Sequence, residues 1–147
     1  MAAVIIPVRT EEQLQSCLDI RKEVFVEEQQ VPIELEIDEF DRISPDAHHL
    51  LIEQDGKNAA TGRITYYKDN AAKMQRIAVR KEFRSQGIGQ VLMLALEELA
   101  RELGFEKAVL DGQLHAVPFY EKLGYEVASQ EPFEDAGIMH HRMEKKL

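Results

Sequence analysis

The sequence predicts an α/β protein in which helices flank one central mixed β-sheet. Apolar patterns of strand and helix period follow one another in the order β-α-β-β-β-α-β-α-β-β. The segment "DGKN" at 55–58 separates two strand patterns, and Asp-Gly favours the tight turn of an antiparallel hairpin. A strand, a helix and a second strand follow one another over 72–112, which implies a parallel pair joined by a right-handed crossover.

The first strand and the first helix are predicted before residue 30. "AAVIIPV" at 2–8 has the apolar, β-branched composition of a strand. Thr10 is a suitable N-cap for a helix over 10–29, which has acidic residues in its first turn. Cys17 lies on the apolar stripe of this helix, so we expect a buried, unreactive thiol. The stripe consists of Leu14, Cys17, Leu18, Arg21 and Phe25.

A long acidic connection follows the first helix. Residues 27–47 include Pro32 and Pro45, show little periodicity and contain the segment "EEQQVPIELEIDEFD". Connections of this length are usually functional or mobile. Two interpretations stay open at this point: a solvated loop, or a surface that recognises a cationic ligand.

The remaining elements follow with short connections. The long amphipathic helix "VLMLALEELARELGF" ends at Gly104, because glycine is favoured just beyond a helix C-terminus. A buried-type strand, a short helix that ends at Gly124 and two further strands come after it. The predicted strands are 48–54, 59–67, 71–80, 106–112, 125–129 and 137–145, and the predicted helices are 91–105 and 116–124.

Composition and charge narrow the function classes. The chain has 147 residues, 44% hydrophobic and 31% charged, which is ordinary for one globular domain over 1–147. A net charge of −9 argues against nucleic acid or an anionic membrane as the main partner. No apolar run approaches the roughly 20 residues that a membrane helix needs. The N-terminus lacks the basic region of a signal peptide and there is one cysteine, so we expect a cytoplasmic protein.

The segment "RSQGIGQ", 84–90, joins a predicted strand to the long helix. A helix N-terminus carries unpaired N–H groups and partial positive charge, and glycines let an anion approach them closely. No Gly-Lys-Ser/Thr follows, so the segment is not a Walker loop, and a third glycine of the dinucleotide fingerprint is missing. From these residues alone, a plain turn and a phosphate cradle stay open.

Two longer segments resemble the GCN5-related N-acetyltransferase (GNAT) family. "RIAVRKEFRSQGIGQVLMLALEELARELGF" is similar to the central family motif, and "LDGQLHAVPFYEKLGYE" is similar to the second one. The motifs stand in the family's order and separation over about residues 73–128. The segments "RKEVFVEEQQVPIELEIDEFD" and "PFEDAGIMHHRM" further resemble the ElaA- and YjcF-like subgroup of small bacterial acetyltransferases.

The resemblance implies the GNAT fold and acetyl-coenzyme A (acetyl-CoA) as cofactor. The loop N–H groups would take the pyrophosphate, with Arg84 and Ser85 facing the phosphates. The segment "IAV" at 77–79 would bind the pantetheine arm like an added strand. Gln113 would hold the cofactor arm or the local backbone. The implied cofactor residues are Ile77, Ala78, Val79, Arg84, Ser85, Gln86, Gly87, Ile88, Gly89, Gln90, Gln113 and Tyr120.

The implied reaction is direct attack of an amine on the thioester in a ternary complex. The N–H of Val79 would polarise the thioester carbonyl. Tyr120 stands where the family has its general acid, although an aromatic on a short helix is also typical of a core. The resemblance leaves a homodimer open, because many relatives are dimers.

The general base and the acceptor are less defined. Many relatives carry a Glu on the strand before "IAV", where this chain has Gln75 and Arg76. The candidate bases are therefore Glu34, Glu36, Asp38, His115 or a water relay, and Phe25 is a candidate for the floor of the acceptor pocket. The acceptor is expected to be a small-molecule or peptide amine.

Two alternative functions stay open, and no metal site is expected. A non-catalytic acyl-CoA sensor would fit the missing Glu, but Tyr120 opposes it. "RKEVF" echoes acyl-homoserine lactone synthases, which generally carry a tryptophan soon after it, whereas this chain has none. His48–His49 and His140–His141 are adjacent pairs on predicted strands, so each pair points to opposite faces and cannot chelate one ion.

Overall fold

An eight-stranded mixed sheet runs through residues 3–147, the part of the chain that the computed structural model describes. Its strand order is β1-β2-β3-β4-β5-β8-β6, with β7 also paired to β8. The strands are β1 (Ala3–Pro7), β2 (Ala47–Gln54), β3 (Lys57–Tyr67), β4 (Ala71–Val79), β5 (Lys107–Gln113), β6 (Glu126–Val127), β7 (Phe133–Asp135) and β8 (Ile138–Lys146). The α-helices are α1 (Glu11–Arg21), α2 (Ile33–Glu36), α3 (Ile88–Glu102) and α4 (Val117–Lys122).

The predicted first helix is present but changes type half-way. Thr10 caps α1: its hydroxyl accepts from the N–H of Gln13 at 3.2 Å, and the Gln13 side chain accepts from the Thr10 N–H at 3.2 Å. The helix continues beyond Arg21 as a π-helix over Lys22–Glu28. Such π-helical turns are rare and often lie at functional sites.

The meander and the crossover are both confirmed. Asp55 and Gly56 have φ values of 55° and 77°, as a two-residue turn of type I′ requires. Strands β2, β3 and β4 pair antiparallel, whereas β4 and β5 pair parallel across α3. Gly104, at φ 89°, follows the end of α3 as predicted.

Two predicted segments differ in the structure, and position 2 of the first predicted strand lies outside the described residues. The connection over 27–47 contains the end of the π-helix and α2, and α2 buries Glu36 beside Arg21. Only 126–127 of the predicted strand 125–129 is a strand, and the structure adds β7, which forms a hairpin with β8.

Helices cover both faces of the sheet and divide the core in two. Alternate residues of β2 show this, since Leu50 and Ile52 lie in the core under α3 and Leu51 lies in the core under α1. Cys17 is fully buried in the second core, as predicted, with Sγ 3.8 Å from the carbonyl oxygen of Leu50. None of the helices in residues 3–147 is long and apolar enough to cross a membrane.

Candidate active site

A cleft opens where β4 and β5 separate. Their parallel pairing runs from Ala71–Lys107 to Met74–Leu110 and goes no further, although β4 extends to Val79 and β5 to Gln113. The cleft has a volume of about 800 Å³. Its lining includes Arg84, the first residue of the segment 84–90 (the glycine segment), and the end of the first helix around Phe25 and Gln29, so it can hold an extended ligand.

A bulge in β4 turns the strand at this point. The register with β3 shifts between Thr61 and Arg63, and Arg76 has φ 57°. This left-handed backbone costs a non-glycine residue about 1 kcal/mol or more. Two ion pairs fix the Arg76 side chain, to Glu36 at 3.1 Å and to Asp38 at 3.3 Å, and help to hold the bulge.

The bulge leaves backbone N–H groups of β4 facing the cleft. Successive N–H groups along a strand point to opposite edges. The N–H of Arg80 donates to Ala59 of β3 at 2.9 Å, so the N–H of Val79 points to the other edge, toward the cleft. By the same alternation Ile77 directs its N–H into the cleft, whereas Ala78 directs its N–H to β3 and contributes its side chain to the cleft wall.

The glycine segment presents unpaired N–H groups at the start of α3. Gly87, at φ 80°, is the N-cap, and its carbonyl accepts the first helical bond from Val91. Within residues 3–147, no acceptor pairs with the N–H groups of Ile88, Gly89 and Gln90. A Cβ on Gly89 would lie 3.3 Å from the Phe119 ring, so glycine is also needed there for close packing. The segment therefore has the geometry of an anion cradle.

Arg84 is not directed at this cradle. Its guanidinium donates to both carboxylate oxygens of Glu28 at 2.8 Å and to the carbonyl of Val79 at 2.9 Å. The nearby carboxylate thus occupies the guanidinium in this structure, and the contact of Arg84 with the phosphates stays a prediction that requires displacement of Glu28. Ser85 has φ 64° and is exposed beside the cradle.

Tyr120 lies at the inner end of the cleft. Its ring covers Gly112, where a Cβ would come within 3.0 Å of it, and packs edge-on against Phe119 and Tyr125. Burial raises the pKa of Tyr120 to about 12, so the phenol is neutral at physiological pH. In the described part of the chain, every buried side-chain N or O atom has a hydrogen-bond partner. The Tyr120 hydroxyl has no hydrogen-bond partner, so the oxygen atom itself is accessible to solvent.

The opposite mouth of the cleft is formed by the end of α1 and by β5. Gln29 and Gln113 exchange amide hydrogen bonds at 2.9 and 3.3 Å across it. The Gln113 side chain thus joins β5 to the end of the first helix through Gln29. Phe25 both lines the cleft and packs against the second core, and the exposed His115 lines the cleft from the turn before α4.

The acidic connection turns inward. Glu36 and Asp41 both accept from the buried Arg21, at 3.3 and 2.5 Å. Burial opposes ionisation of Asp41, but the hydrogen bond and charge of Arg21 outweigh it and lower the pKa of Asp41 to about 2. Burial raises the pKa of Glu36 against the attraction of Arg21 and Arg76. A buried charge is stable only when paired in this way, which explains an arginine on the apolar stripe of α1.

Two further arginines complete a buried ion cluster. Arg63 donates to Asp38 at 2.7 Å and to Asp41 at 2.9 Å, and Arg76 pairs with Glu36 and Asp38. The cluster holds three arginines and three carboxylates, so its formal charges cancel. It consists of Arg21, Glu36, Asp38, Asp41, Arg63 and Arg76.

Comparison with known proteins places this arrangement in a family. The family model for an acetyltransferase (GNAT) domain matches residues 6–147. The chain belongs to the GNAT family. It is 43% identical over 145 residues to the uncharacterized N-acetyltransferase YjcF of Bacillus subtilis, with 99% of each chain covered.

Solved structures agree with the GNAT assignment. Escherichia coli ElaA superposes with a TM-score of 0.83 at 26% identity, and 98% of each chain is covered. An acyl-CoA N-acyltransferase of Pseudomonas aeruginosa superposes with a TM-score of 0.84 at 27% identity, again over 98% of each chain. The predicted resemblance to the ElaA- and YjcF-like subgroup is therefore confirmed.

The arginine pairs described above change how the acidic connection is interpreted. Its inner carboxylates fit neither earlier interpretation, because Glu36 is buried and both Glu36 and the partly exposed Asp38 pair with arginines of the protein itself. Glu34 is exposed and, like Asp38, lies outside the residues that line the cleft. Only Glu36 of these three reaches the cleft wall.

One GNAT cleft residue was missed from the sequence. His140 lines the cleft from β8 and is 8% exposed. The alternation of "MHHRM" already placed His140 and His141 on opposite faces of a strand. That pattern was used only to argue against a metal, although it also assigns one histidine to each face.

Proposed function

We propose that residues 1–147 are a single N-acetyltransferase domain that moves an acetyl group from acetyl-CoA to a primary amine by direct attack in a ternary complex. Acetyltransferase membership follows from the family; the cofactor, the acceptor and the order of steps are the proposal. The observation that carries it is the separation of β4 from β5 directly beside the unpaired N–H groups of the glycine segment.

The residues present fit a coenzyme A molecule. The N-terminus of α3 offers N–H groups and partial positive charge to a diphosphate. The open edge of β4 offers the N–H groups of Ile77 and Val79 to an extended amide-bearing arm. The name of the Pseudomonas aeruginosa neighbour, an acyl-CoA N-acyltransferase, supports this ligand class. We assign to it Ile77, Ala78, Val79, Ser85, Gln86, Gly87, Ile88, Gly89, Gln90, Gln113 and Tyr120, and we assign Arg84 through displacement of Glu28.

Two groups of the chain would act on the thioester that acetyl-CoA supplies. The Val79 N–H, which β4 fixes, would donate a hydrogen bond to the acyl oxygen, where negative charge would develop. The Tyr120 hydroxyl keeps its proton to high pH and would donate it, or a strong hydrogen bond, to the departing sulfur. Such preorganised groups would stabilise the developing charge without reorganisation.

The acceptor enters from the α1 side in this proposal. Phe25 lies at that mouth and His115 also lines the cleft, and the acceptor would be a small-molecule or peptide amine. Cytoplasmic location and a homodimer stay predictions.

A thiol-release assay with acetyl-CoA and a panel of small and peptide amines tests the proposal. An acetyltransferase releases one thiol for each acetylated amine. A non-catalytic acyl-CoA sensor would show a thermal shift with acetyl-CoA but would release no thiol with any amine, and that result would overturn the catalytic function.

A further inference from the structure

His140 is held in one orientation at the wall of the cleft. Its ring stacks on Phe133, with centroids 6.0 Å apart and planes 24° apart. Its backbone pairs with Gln113 on one side and with Phe133 on the other. Because neighbours on both sides fix it, the ring needs little reorganisation to act on a ligand.

The hydrogen bond of His140 fixes which ring nitrogen carries the proton. Nδ1 lies 2.7 Å from the carbonyl oxygen of Ile138. A carbonyl oxygen can only accept, so Nδ1 donates and Nε2 of the neutral ring keeps its lone pair. Within residues 3–147, every buried side-chain N or O atom has a hydrogen-bond partner. Nε2 of His140 has no such partner, so it is not buried and is accessible to solvent.

His140 and Tyr120 lie on opposite faces of the sheet. Residues opposite each other on antiparallel strands share a face, so His140 lies on the face of Gln113 and of its partner Gln29. Tyr120 covers Gly112, which is one residue along β5 and thus on the other face. The cleft therefore has the Nε2 lone pair of His140 on the α1 side and the neutral phenol of Tyr120 on the α3 side.

Three other titratable groups that line this cleft are less suited to accept a proton. The Glu36 carboxylate accepts a hydrogen bond from Arg21 at one oxygen and pairs with Arg76 at the other, so both oxygens are already occupied. His115 is exposed, and no hydrogen bond in the described residues fixes its ring. Asp135 also lines the cleft, but it is exposed at the β7–β8 turn.

We propose that Nε2 of His140 is the general base that deprotonates the acceptor ammonium, an inference that rests on the proposed acetyltransferase function. The ammonium loses two protons on becoming an amide. His140 takes the first, which frees the nitrogen lone pair to form the N–C bond as the C–S bond breaks. Tyr120 gives its proton to the sulfur, the second nitrogen proton replaces it through solvent, and His140 releases the first proton to water.

The test compares His140→Ala with His141→Ala in thiol release from acetyl-CoA, using an amine that the wild type acetylates. His141 is the matched control, because it is the adjacent histidine on β8 and lies on the opposite face of the sheet from His140. Its Nδ1 lies 3.1 Å from the hydroxyl oxygen of Ser129. General bases typically contribute 10²- to 10⁴-fold, so His140→Ala should lose about 100-fold in kcat and His141→Ala no more than about twofold. Coenzyme A affinity, measured by calorimetry, should be unchanged in both.

Three readouts separate a base from a structural residue. Added imidazole should restore at least about tenfold of the activity of His140→Ala, because a free base replaces the missing one. An acceptor amine of low basicity, already neutral at the assay pH, should show a smaller deficit. In the wild-type protein, ¹⁵N chemical shifts should show the Nδ1–H tautomer for His140.

Several results would overturn the proposal. A folded His140→Ala variant that binds coenzyme A and keeps full kcat would remove His140 from the reaction. A loss without imidazole rescue, or an equal loss in His141→Ala, would assign His140 a structural role while leaving the acetyltransferase function intact. Wild-type protein that releases no thiol with any amine would instead overturn the proposed function, and the proposal for His140 with it.

Discussion

The guanidinium of Arg84 donates to both carboxylate oxygens of Glu28 at 2.8 Å, which joins the glycine segment to the π-helical end of α1. The sequence predicted Arg84 as a phosphate ligand, and the structure shows its charge already engaged. A phosphate that takes Arg84 must therefore compete with Glu28. Since Glu28 also lines the cleft, a cofactor that displaced it from Arg84 would change the wall of the cleft on the proposed acceptor side.

Removing the Glu28 charge should tighten coenzyme A binding. Half-exposed ion pairs are worth up to about 1 kcal/mol, so Glu28→Gln should lower the Kd for coenzyme A by about threefold, whereas Arg84→Met should raise it. Isothermal titration calorimetry at low salt measures both. If both variants weaken binding equally, the pair is a structural clasp and Arg84 does not contact phosphate.

Gly87→Val should abolish coenzyme A binding. Valine at φ 80° places a side chain beside the N–H groups of the cradle and strains the backbone by about 1–2 kcal/mol. Gly56→Val is the matched control, because Gly56 has φ 77° and open space around its Cβ position, but lies in the distant β2–β3 turn. Both variants should lose similar thermal stability, and only Gly87→Val should lose binding. Intact affinity in Gly87→Val would show that the segment is only a turn.

Tyr120→Phe should lower kcat by about tenfold or more with little change in coenzyme A affinity, since it removes a proton donor that acts on the leaving group. The ring contacts with Phe119 and Tyr125 are kept, so the fold should be unaffected. Steady-state kinetics and calorimetry give the two constants separately. An unchanged kcat would remove Tyr120 from the mechanism.

A plot of kcat against pH should also stay flat at alkaline pH. Burial raises the pKa of Tyr120 to about 12, so its phenol keeps the proton as pH rises through 10, where an exposed tyrosine loses it. We therefore expect no loss of kcat between about pH 8 and pH 10 from this group. A fall centred near pH 10 in stopped assays on stable protein would mean that Tyr120 titrates normally or that another acid acts.

The order of elements and the cofactor side of the site could be predicted from the sequence more completely than the acceptor side. Local geometry is predictable where a turn or cap needs one residue type, as at Asp55-Gly56, Thr10 and Gly104. The ion cluster could not be read in this way, since Arg21, Arg63 and Asp41 come from three distant segments. Its acids therefore looked solvated or free for a ligand. His140 was missed for the same reason: its hydrogen bond to Ile138 is local, but its place in the cleft depends on pairing with β5.

Acid should weaken the fold through the ion cluster. The pKa of Asp41 is about 2 in the folded protein against an ordinary value of 3.8, so its stabilisation is complete above about pH 4 and is lost as pH falls through 2. The shift corresponds to about 2 kcal/mol, which Glu36 partly offsets because burial raises its pKa. Urea unfolding between pH 2 and pH 5 should show this slope in the wild type and a flatter one in Asp41→Asn. Asp46→Asn is the control, since its pair with Arg42 is exposed, and it should keep the wild-type slope. Parallel curves for the wild type and Asp41→Asn would show that Asp41 does not carry the acid sensitivity.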